Sequence, residues 1–557
     1  MLAPLPPDRW NPETAAHLAL RAGFGQTPDE SKKWSQQGLE VTLKHLLQTP
    51  PDNLAPPAWA YPTRDEDLLQ RLRNPATTVE DKVQVQRDLN IRKGDNMADL
   101  ISWWTLRMCH SPAPFIEKMT LFWHGHFATS AEKVSAYRMW LQNETIRRYA
   151  LSNFCTLVKA ISCDPAMIAW LDLGASQKEH PNENFARELM ELFTLGEGHY
   201  TEDDVKTAAQ AFTGYRVAGP DDQFRFVASQ FDPSEKTFLG KTGPWRGDQV
   251  IDIILGQPQC AKFIATKIWR FFAYDDPSPE LVDALSGELR LCGYELKPFM
   301  KVVLSSQEFF SSQARNAVIK SPVQFIVQAQ KTLGVPLPSG QPLVVIYRQL
   351  GQTPFYPPNV KGWDGGKSWI NTATLTYRYE LARELVYGIL PEQVGLPKGP
   401  SATPTPGPPP ALNKAIAAES SIAETALKAL GDDPGGMRVA NAQNTRNPAQ
   451  SRSTPAHNLA QTPAKTPVPQ VIPPPAPTPP PRLTGGLPIG RIITADDRKE
   501  PRRVVEKLSQ AIFQATPETV LFEKFVQVIA TNPVPFDDRA IRELAILMMS
   551  TPNYQLC

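Results

Sequence analysis

Between about Gly399 and Gly486 the chain cannot contribute to a hydrophobic core. This stretch includes SATPTPGPPP and PVPQVIPPPAPTPPPRL, runs dominated by Pro, Thr and Ala. Such a composition buries too little apolar surface to offset ordering entropy, and proline removes backbone donors that helices and sheets need. Residues 396–486 are therefore read as a disordered insertion or linker with extended polyproline segments. Ala411 to Leu430 reads as a transient helix within it, and a PxxP ligand is the alternative use of the stretch. The packed structure must come from the flanks, 1–395 and 487–557. Hydrophobic residues make up 41% of the 557, and the shortfall is concentrated in the Pro-rich stretch, so the flanks can bury a sizeable core.

Both flanks read as helices punctuated by proline. Asn11 and Pro12 set an N-cap and a first helical position for a helix through Leu20, and Thr27 and Pro28 open the next. Phe115, Ile116, Met119, Phe122 and Trp123 recur at helical spacing. Val134 to Cys163 reads as two helices, and Gln259 to Phe272 and Pro298 to Phe310 as one each. Phe224 to Val227 and Leu343 to Ile346 are the candidate strands. After the insertion, Pro501 to Phe513, Pro517 to Ile529 and Phe536 to Ser550 read as helices, with Thr516 as a cap. The phrases MKVVLSSQEFF and LAILMMSTPNYQ echo each other, which favours C-terminal helices that complete the first domain over an independent bundle. The fold class is all-α: one large multi-helix domain with minor short strands and a disordered insertion.

Lys plus Arg number 58 and Asp plus Glu 57, so no basic excess supports nucleic-acid binding. No apolar run reaches the roughly 18 residues of a membrane span. MLAPLPPDRWNPE lacks the charged and apolar regions of a signal peptide, so the default compartment is cytoplasmic; a mis-assigned start would hide an export signal. Cys109, Cys155, Cys163, Cys260, Cys292 and Cys557 form no Cys-x-x-Cys pair, and read as free thiols in apolar surroundings.

The stretch NENFARELMELFTLGEGHY, Asn182 to Tyr200, concentrates polar residues on a core helix. At 100° per residue Phe185, Leu189, Leu192 and Phe193 share a buried face. Glu183 and Arg187 point away from it, while Asn184, Glu188 and Glu191 form a second cluster. Glu188 falls at the flank of burial, one turn from Glu191, where desolvation and like charge both raise a carboxyl pKa. Acid–base chemistry or a bound cation fits this pair. An ion-pair network with Arg187 or another arginine, holding helices in register, fits it as well.

In LFWHGHF, His124 and His126 are two residues apart. If Gly125 breaks the preceding helix, an extended segment presents both rings on one face, a spacing suited to a divalent metal. If not, His124 caps a helix C-terminus and His126 packs among Trp123 and Phe127. His199 and Asp203–Asp204 are candidate further ligands, but Thr201 followed by three acidic residues also makes a helix N-cap with an acidic first turn. In PPNVKGWDGGKSWIN, Trp363 and Trp369 flank Gly365–Gly366 with Lys361 and Lys367 nearby. An exposed Trp there stacks on a sugar or peptide; a buried one plugs the loop onto the core. Phosphate-loop, dinucleotide and serine-elbow motifs are missing. His17 and Arg21 read as a helix-end packing cluster.

Taken in order, HLALRAGFGQTPDE, WHGHF, NENFARELMELFTLGEGHYTEDDV, AAQAFTGYR, FDPSEKTFLGKTG and PPNVKGWDGG…WINTATL resemble the bacterial family known as domain of unknown function 1800. The resemblance runs from His17 to about Leu385 and resumes in the last helix. It implies a mostly helical fold, an insertion within one domain, and a neighbouring-gene sulfatase-like partner. It implies no catalytic residue. From the residues themselves, one expected function is a hydrolase in which His124 and His126 hold a divalent metal and Glu188, Glu191 and Arg187 act on a substrate held by Asn184, Lys361, Trp363 and Trp369. The other is a non-catalytic scaffold or partner-binding protein acting with the sulfatase-like neighbour.

Overall fold

The computed structural model describes residues 2–48, 50, 54–61, 65–218, 222–388 and 486–557. The insertion expected at 396–486, with its transient helix and PxxP segment, lies outside the described residues except for Gly486. In the N-terminal flank come α1 (Pro12–Ala22), α2 (Pro28–Gln37), α3 (Leu39–Leu46), α4 (Glu66–Arg73) and the long α5 (Val79–His110). They are followed by α6 (Pro114–His126), α7 (Ala136–Tyr149), α8 (Phe154–Ser162), α9 (Pro165–Trp170), α10 (Glu183–Glu188) and α11 (Glu202–Ala211). Two antiparallel hairpins come next. β1 (Tyr215–Ala218) pairs with β2 (Gln223–Phe226), Tyr215 facing Phe226, and β3 (Lys236–Phe238) pairs with β4 (Lys241–Gly243). The flank closes with α12 (Gly247–Leu255), α13 (Pro258–Phe272), α14 (Pro279–Leu291), α15 (Leu296–Ser305), α16 (Pro322–Leu333), α17 (Gln341–Leu350) and α18 (Thr372–Tyr387). The C-terminal flank adds α19 (Pro501–Ile512), α20 (Thr519–Ala530), α21 (Asp538–Met549) and α22 (Pro552–Gln555). The fold is all-α with minor strands.

The caps form as their residues dictate. The Asn11 side chain accepts from the backbone of Glu13 and Thr14, while the Thr14 hydroxyl accepts from Asn11 N at 2.8 Å. Thr27 and Glu30, and Thr201 and Asp204, close the same reciprocal box, so the acidic run after Thr201 is a helix start. Three expectations need correction. Leu343 to Ile346 is helical, inside α17; its β-branched residues mimic a strand over four positions, but burial at Leu343, Val344, Ile346, Tyr347 and Leu350 follows a helical face. The helix opening at Pro298 starts earlier and ends at Ser305, where the Ser306 hydroxyl accepts from Phe309 N. The helix read from Pro517 begins at Thr519, and the Thr516 cap does not form.

Two hydrophobic cores result. The first gathers α1, α3, α8 and α10 to α15 around Trp123, Phe154, Phe193 and Trp269. The second gathers α5 and α16 to α22 around Trp104, Phe325, Tyr347 and Tyr554. Helix α6 serves both, through Met119 and Trp123 on one side and Leu121 on the other. The C-terminal helices belong to the second core: α21 packs on α18, and Lys320 N donates to Gln555 O at 2.8 Å. The two echoing phrases do the same work in the two cores, each ending a helix at a Ser or Thr turn that buries an aromatic, Phe309 in one and Tyr554 in the other. Among the described residues no helix is long and apolar enough to cross a membrane.

Candidate functional site

The Asn182 stretch is a helix of two kinds. α10 starts from Asn182, whose side chain accepts from Asn184 N, and continues from Leu189 to Thr194 as a π-helical turn. Leu195 N and Gly196 N both donate back to Met190 O, at 2.8 and 3.0 Å. A wider turn changes the phase of the apolar stripe. Phe185, Leu189 and Phe193 are buried as expected, but Leu192 is only half-buried and Met190 takes the interior position. Two carbonyls at the end of this turn accept from side chains on other helices. Phe193 O is 3.0 Å from His126 Nε2, and Leu192 O accepts from Lys267 Nζ at 3.1 Å. π-Turns concentrate at functional sites because they redirect backbone groups in this way.

His126 is where the helix-break expectation fails. α6 runs through Gly125 to His126, so the two histidines project from different sides of a helix. His124 lies against Trp104, Phe355 and Trp363, and its Nε2 accepts from Phe355 N at 3.0 Å. Burial lowers its pKa to about 3, so it is a neutral packing group. His126 receives Lys267 Nζ at Nδ1, 3.3 Å away, which leaves Nε2–H to donate to Phe193 O. Burial, then the Lys267 charge, holds His126 well below its ordinary range. A metal at Nδ1 has to displace Lys267. Among the described residues no three His, Cys, Asp or Glu side chains cluster as a metal site would require.

The third motif closes over the second. Gly362 has φ 85°, and a Cβ there would run into the carbonyl oxygen of Gly125. Glycine lets the loop lie directly on α6. Trp369 is buried, whereas Trp363 is half-buried beside His124.

Beneath this loop, between the two cores, lies a cavity of about 350 Å³. Of the residues singled out from sequence, His126, Lys361, Trp363 and Trp369 line it. His124, Asn184, Arg187, Glu188 and Glu191 do not. Arg187 is engaged elsewhere: it makes a two-pronged bond to Glu202, at 2.7 and 2.8 Å, and a third to Glu183. The expected partnership of Arg187 with Glu188 is therefore not the arrangement found. Glu188 is half-buried, and burial followed by the charge of Glu191 pushes its carboxyl up, opposed by Lys361 and Arg187. Glu191 accepts from the Tyr200 hydroxyl at 3.0 Å.

The cavity's deeper lining was not singled out as a site from sequence. Arg21 of α1 is 2% exposed and spends its donors on Phe272 O, Ala273 O and Cys557 O. Lys118 of α6 is 6% exposed, donates to Gln324 Oε1 at 2.5 Å, and sits over the rings of Phe24 and Phe271. Burial lowers Lys118 to about 7, with Cys557 opposing and Arg21 adding to the shift. Lys267 of α13 falls to about 8, by burial first and then the charge of Arg270. Among the described residues neither lysine makes an ion pair. The acidic residues of the lining, Asp275 and Asp364, are exposed and stand with Arg270 and Lys361 at the rim. The one hint in the sequence is a lysine on an apolar helical stripe. Lys118 lies among Phe115, Leu121 and Phe122, and Lys267 among Phe263, Ile264 and Phe271, where burial of an unpaired ammonium is costly.

The fold and site define a many-helix protein with a cation-walled cavity at the junction of two cores. The family model described as protein of unknown function (DUF1800) matches residues 17–556, and the chain belongs to that family. Neither a curated protein nor a solved structure matches it.

Proposed function

We propose that the protein binds a small organic anion in this cavity. The observation that carries the reading is the charge distribution. The rim balances Arg270 and Lys361 with Asp275 and Asp364, while the interior holds Arg21, Lys118 and Lys267 without an acidic side chain. Cys557 offsets part of the charge on Arg21 and Lys118, and Asp275 part of that on Arg21. The charge left uncompensated is costly to bury, and a bound anion offsets that cost. Phe122, Phe271 and Trp363 supply apolar walls for the rest of the ligand. The test pairs anions with neutral analogues of like shape on the full chain: acetate with acetamide, pyruvate with acetone, benzoate with benzamide. Thermal stabilisation by the anions only, lost in Lys118→Gln and Lys267→Gln, is the expected result. Equal stabilisation by the neutral partners, or unchanged responses in the variants, overturns it.

Hydrolysis is a second reading, favoured by one observation. Glu188 keeps a raised carboxyl within electrostatic reach of Lys361 at the rim, as a general acid requires. If ester turnover by the purified protein survives Glu188→Gln unchanged, that reading is lost. A divalent metal on His126 belongs to it only with Lys267 displaced. Partnership with a sulfatase-like neighbour rests on the family resemblance and is tested by co-purification.

A further inference from the structure

The cavity also contains a nucleophile. We infer that Lys118 forms an imine with a small oxo acid held in the anion site, which makes the substrate class a carbonyl compound bearing a carboxylate. This rests on the anion-binding reading above.

The geometry supplies the two conditions that activate an amine: an apolar enclosure and a neighbouring fixed cation. Phe24 and Phe271 lie 4.9 and 5.5 Å from the Lys118 nitrogen, measured to their ring centroids. Arg21 supplies the cation; its donors are committed to Phe272 O, Ala273 O and the O and Sγ atoms of Cys557, so it acts through its field, which Cys557 partly offsets. The two cavity lysines differ in freedom. Lys267 is held between Leu192 O and His126 Nδ1. Among the described residues Lys118 has one hydrogen-bonding partner, Gln324 Oε1, at the cavity wall. Burial places Lys118 near neutrality, so a substantial share of the amine is unprotonated at physiological pH. The groups facing it from packed elements are Arg21 on α1, Gln324 on α16 and Cys557, with Lys267 on α13 lining the same cavity.

The step balances without a further reactant. The neutral amine adds to the carbonyl carbon of the oxo acid, and the carbinolamine loses water. A C=N bond replaces C=O, and both amine hydrogens leave on the departing oxygen. Lys267 supplies a positive charge for the carboxylate. Gln324 holds the amine in place.

The experiment incubates the full chain with pyruvate and sodium cyanoborohydride, which reduces an imine to a stable secondary amine, and maps the adduct by peptide mass. The expected product is one adduct on Lys118, formed on the order of tenfold or more faster than on exposed Lys206, and slower with acetone in place of pyruvate. Lys118→Arg keeps the charge and loses the adduct, with circular dichroism reporting that the variant is folded. Labelling spread evenly over surface lysines, or undiminished in Lys118→Arg, overturns the inference. Pyruvate that stabilises the chain without any adduct overturns the imine while leaving the anion site standing. Pyruvate that does neither removes both.

Discussion

Glu117 and Lys118 are consecutive residues on α6, and both are buried, yet their charges meet opposite treatment. Glu117 is 1% exposed and is enclosed by opposite charge: Arg147 at 2.6 Å, Arg107 at 3.2 Å, and the Trp104 indole N–H at 2.9 Å. Glu144 accepts from an Nη of each arginine, Arg147 also donates to Asn143, and the two guanidinium groups stack near Trp103. Lys118, one position on, has an amide, two aromatic faces and a second cation, with only Cys557 in partial opposition and, among the described residues, no carboxylate side chain bonded to it. Two carboxylates against two guanidinium groups make a closed network that holds α5, α6 and α7 together. The Lys118 side stays electrostatically open. A structural network is complete as folded, whereas a binding site is completed by its ligand.

The largest expected effect lies on the Glu117 side. Glu117→Gln keeps the shape and removes the charge, leaving Arg107 and Arg147 buried with Glu144 alone. Removing one partner of a buried network costs about 3–5 kcal/mol. A fall of this size in the free energy of denaturant unfolding is expected. A loss under about 1 kcal/mol, the range of a surface pair, would show that Glu117 is not structurally essential.

On the other side the sign reverses. Lys118→Met keeps the apolar stem and deletes the amine, so it is expected to stabilise the unliganded chain by about 1–4 kcal/mol at pH 6, the range seen when buried charges give way to apolar residues. The pH dependence follows from the direction of the shift. Lys118 falls from its ordinary 10.5 to about 7 in the folded chain, so between those values the unfolded chain binds more protons. Stability from this group therefore rises with pH through that window, and the penalty is fully present below about 7. Lys267 and Lys320, lowered to about 8 and about 7, add slopes of the same sign. Unfolding curves at pH 6, 7.5 and 9 should show the wild type gaining on Lys118→Met as pH rises. Parallel curves would mean that Lys118 keeps an ordinary ammonium.

Neither side of this contrast is legible from sequence alone. The helices are, because their signals are local. Asn11, Thr27 and Thr201 cap where their side chains reach, and proline at the first helical position marks many of the starts. The errors have physical causes. Gly125 reads as a breaker, but one helical glycine costs only about 1 kcal/mol, and the buried turns of α6 outweigh it. The π-turn after Glu188 has no signature at the 3.6-residue period, so Leu192 is placed one step too deep. The site is harder still. His126, the carbonyls of Leu192 and Phe193, and the Gly362 loop come from three phrases that stand out in the chain, yet their meeting depends on tertiary packing. Arg21, Lys118 and Lys267 lie far apart in sequence, and only the apolar setting of each lysine marks it out.

The smallest expected effect concerns Arg187, an arginine that sequence places among the candidate site residues. Arg187 bonds Glu202 and Glu183 with its side chain one-third exposed, and Glu202 is 66% exposed. Solvent screens such a pair, and the ordering of two long side chains offsets most of the attraction. Arg187→Ala should therefore shift the unfolding midpoint by no more than an ordinary surface substitution, and by less still at high salt. It should also leave anion binding in the cavity unchanged, because Arg187 does not line it. A loss comparable to Glu117→Gln would mean that the Arg187 cluster is a second closed network, and that burial of Glu188 depends on it. The salt series decides between these, since a closed, buried network responds far less to ionic strength than an exposed one.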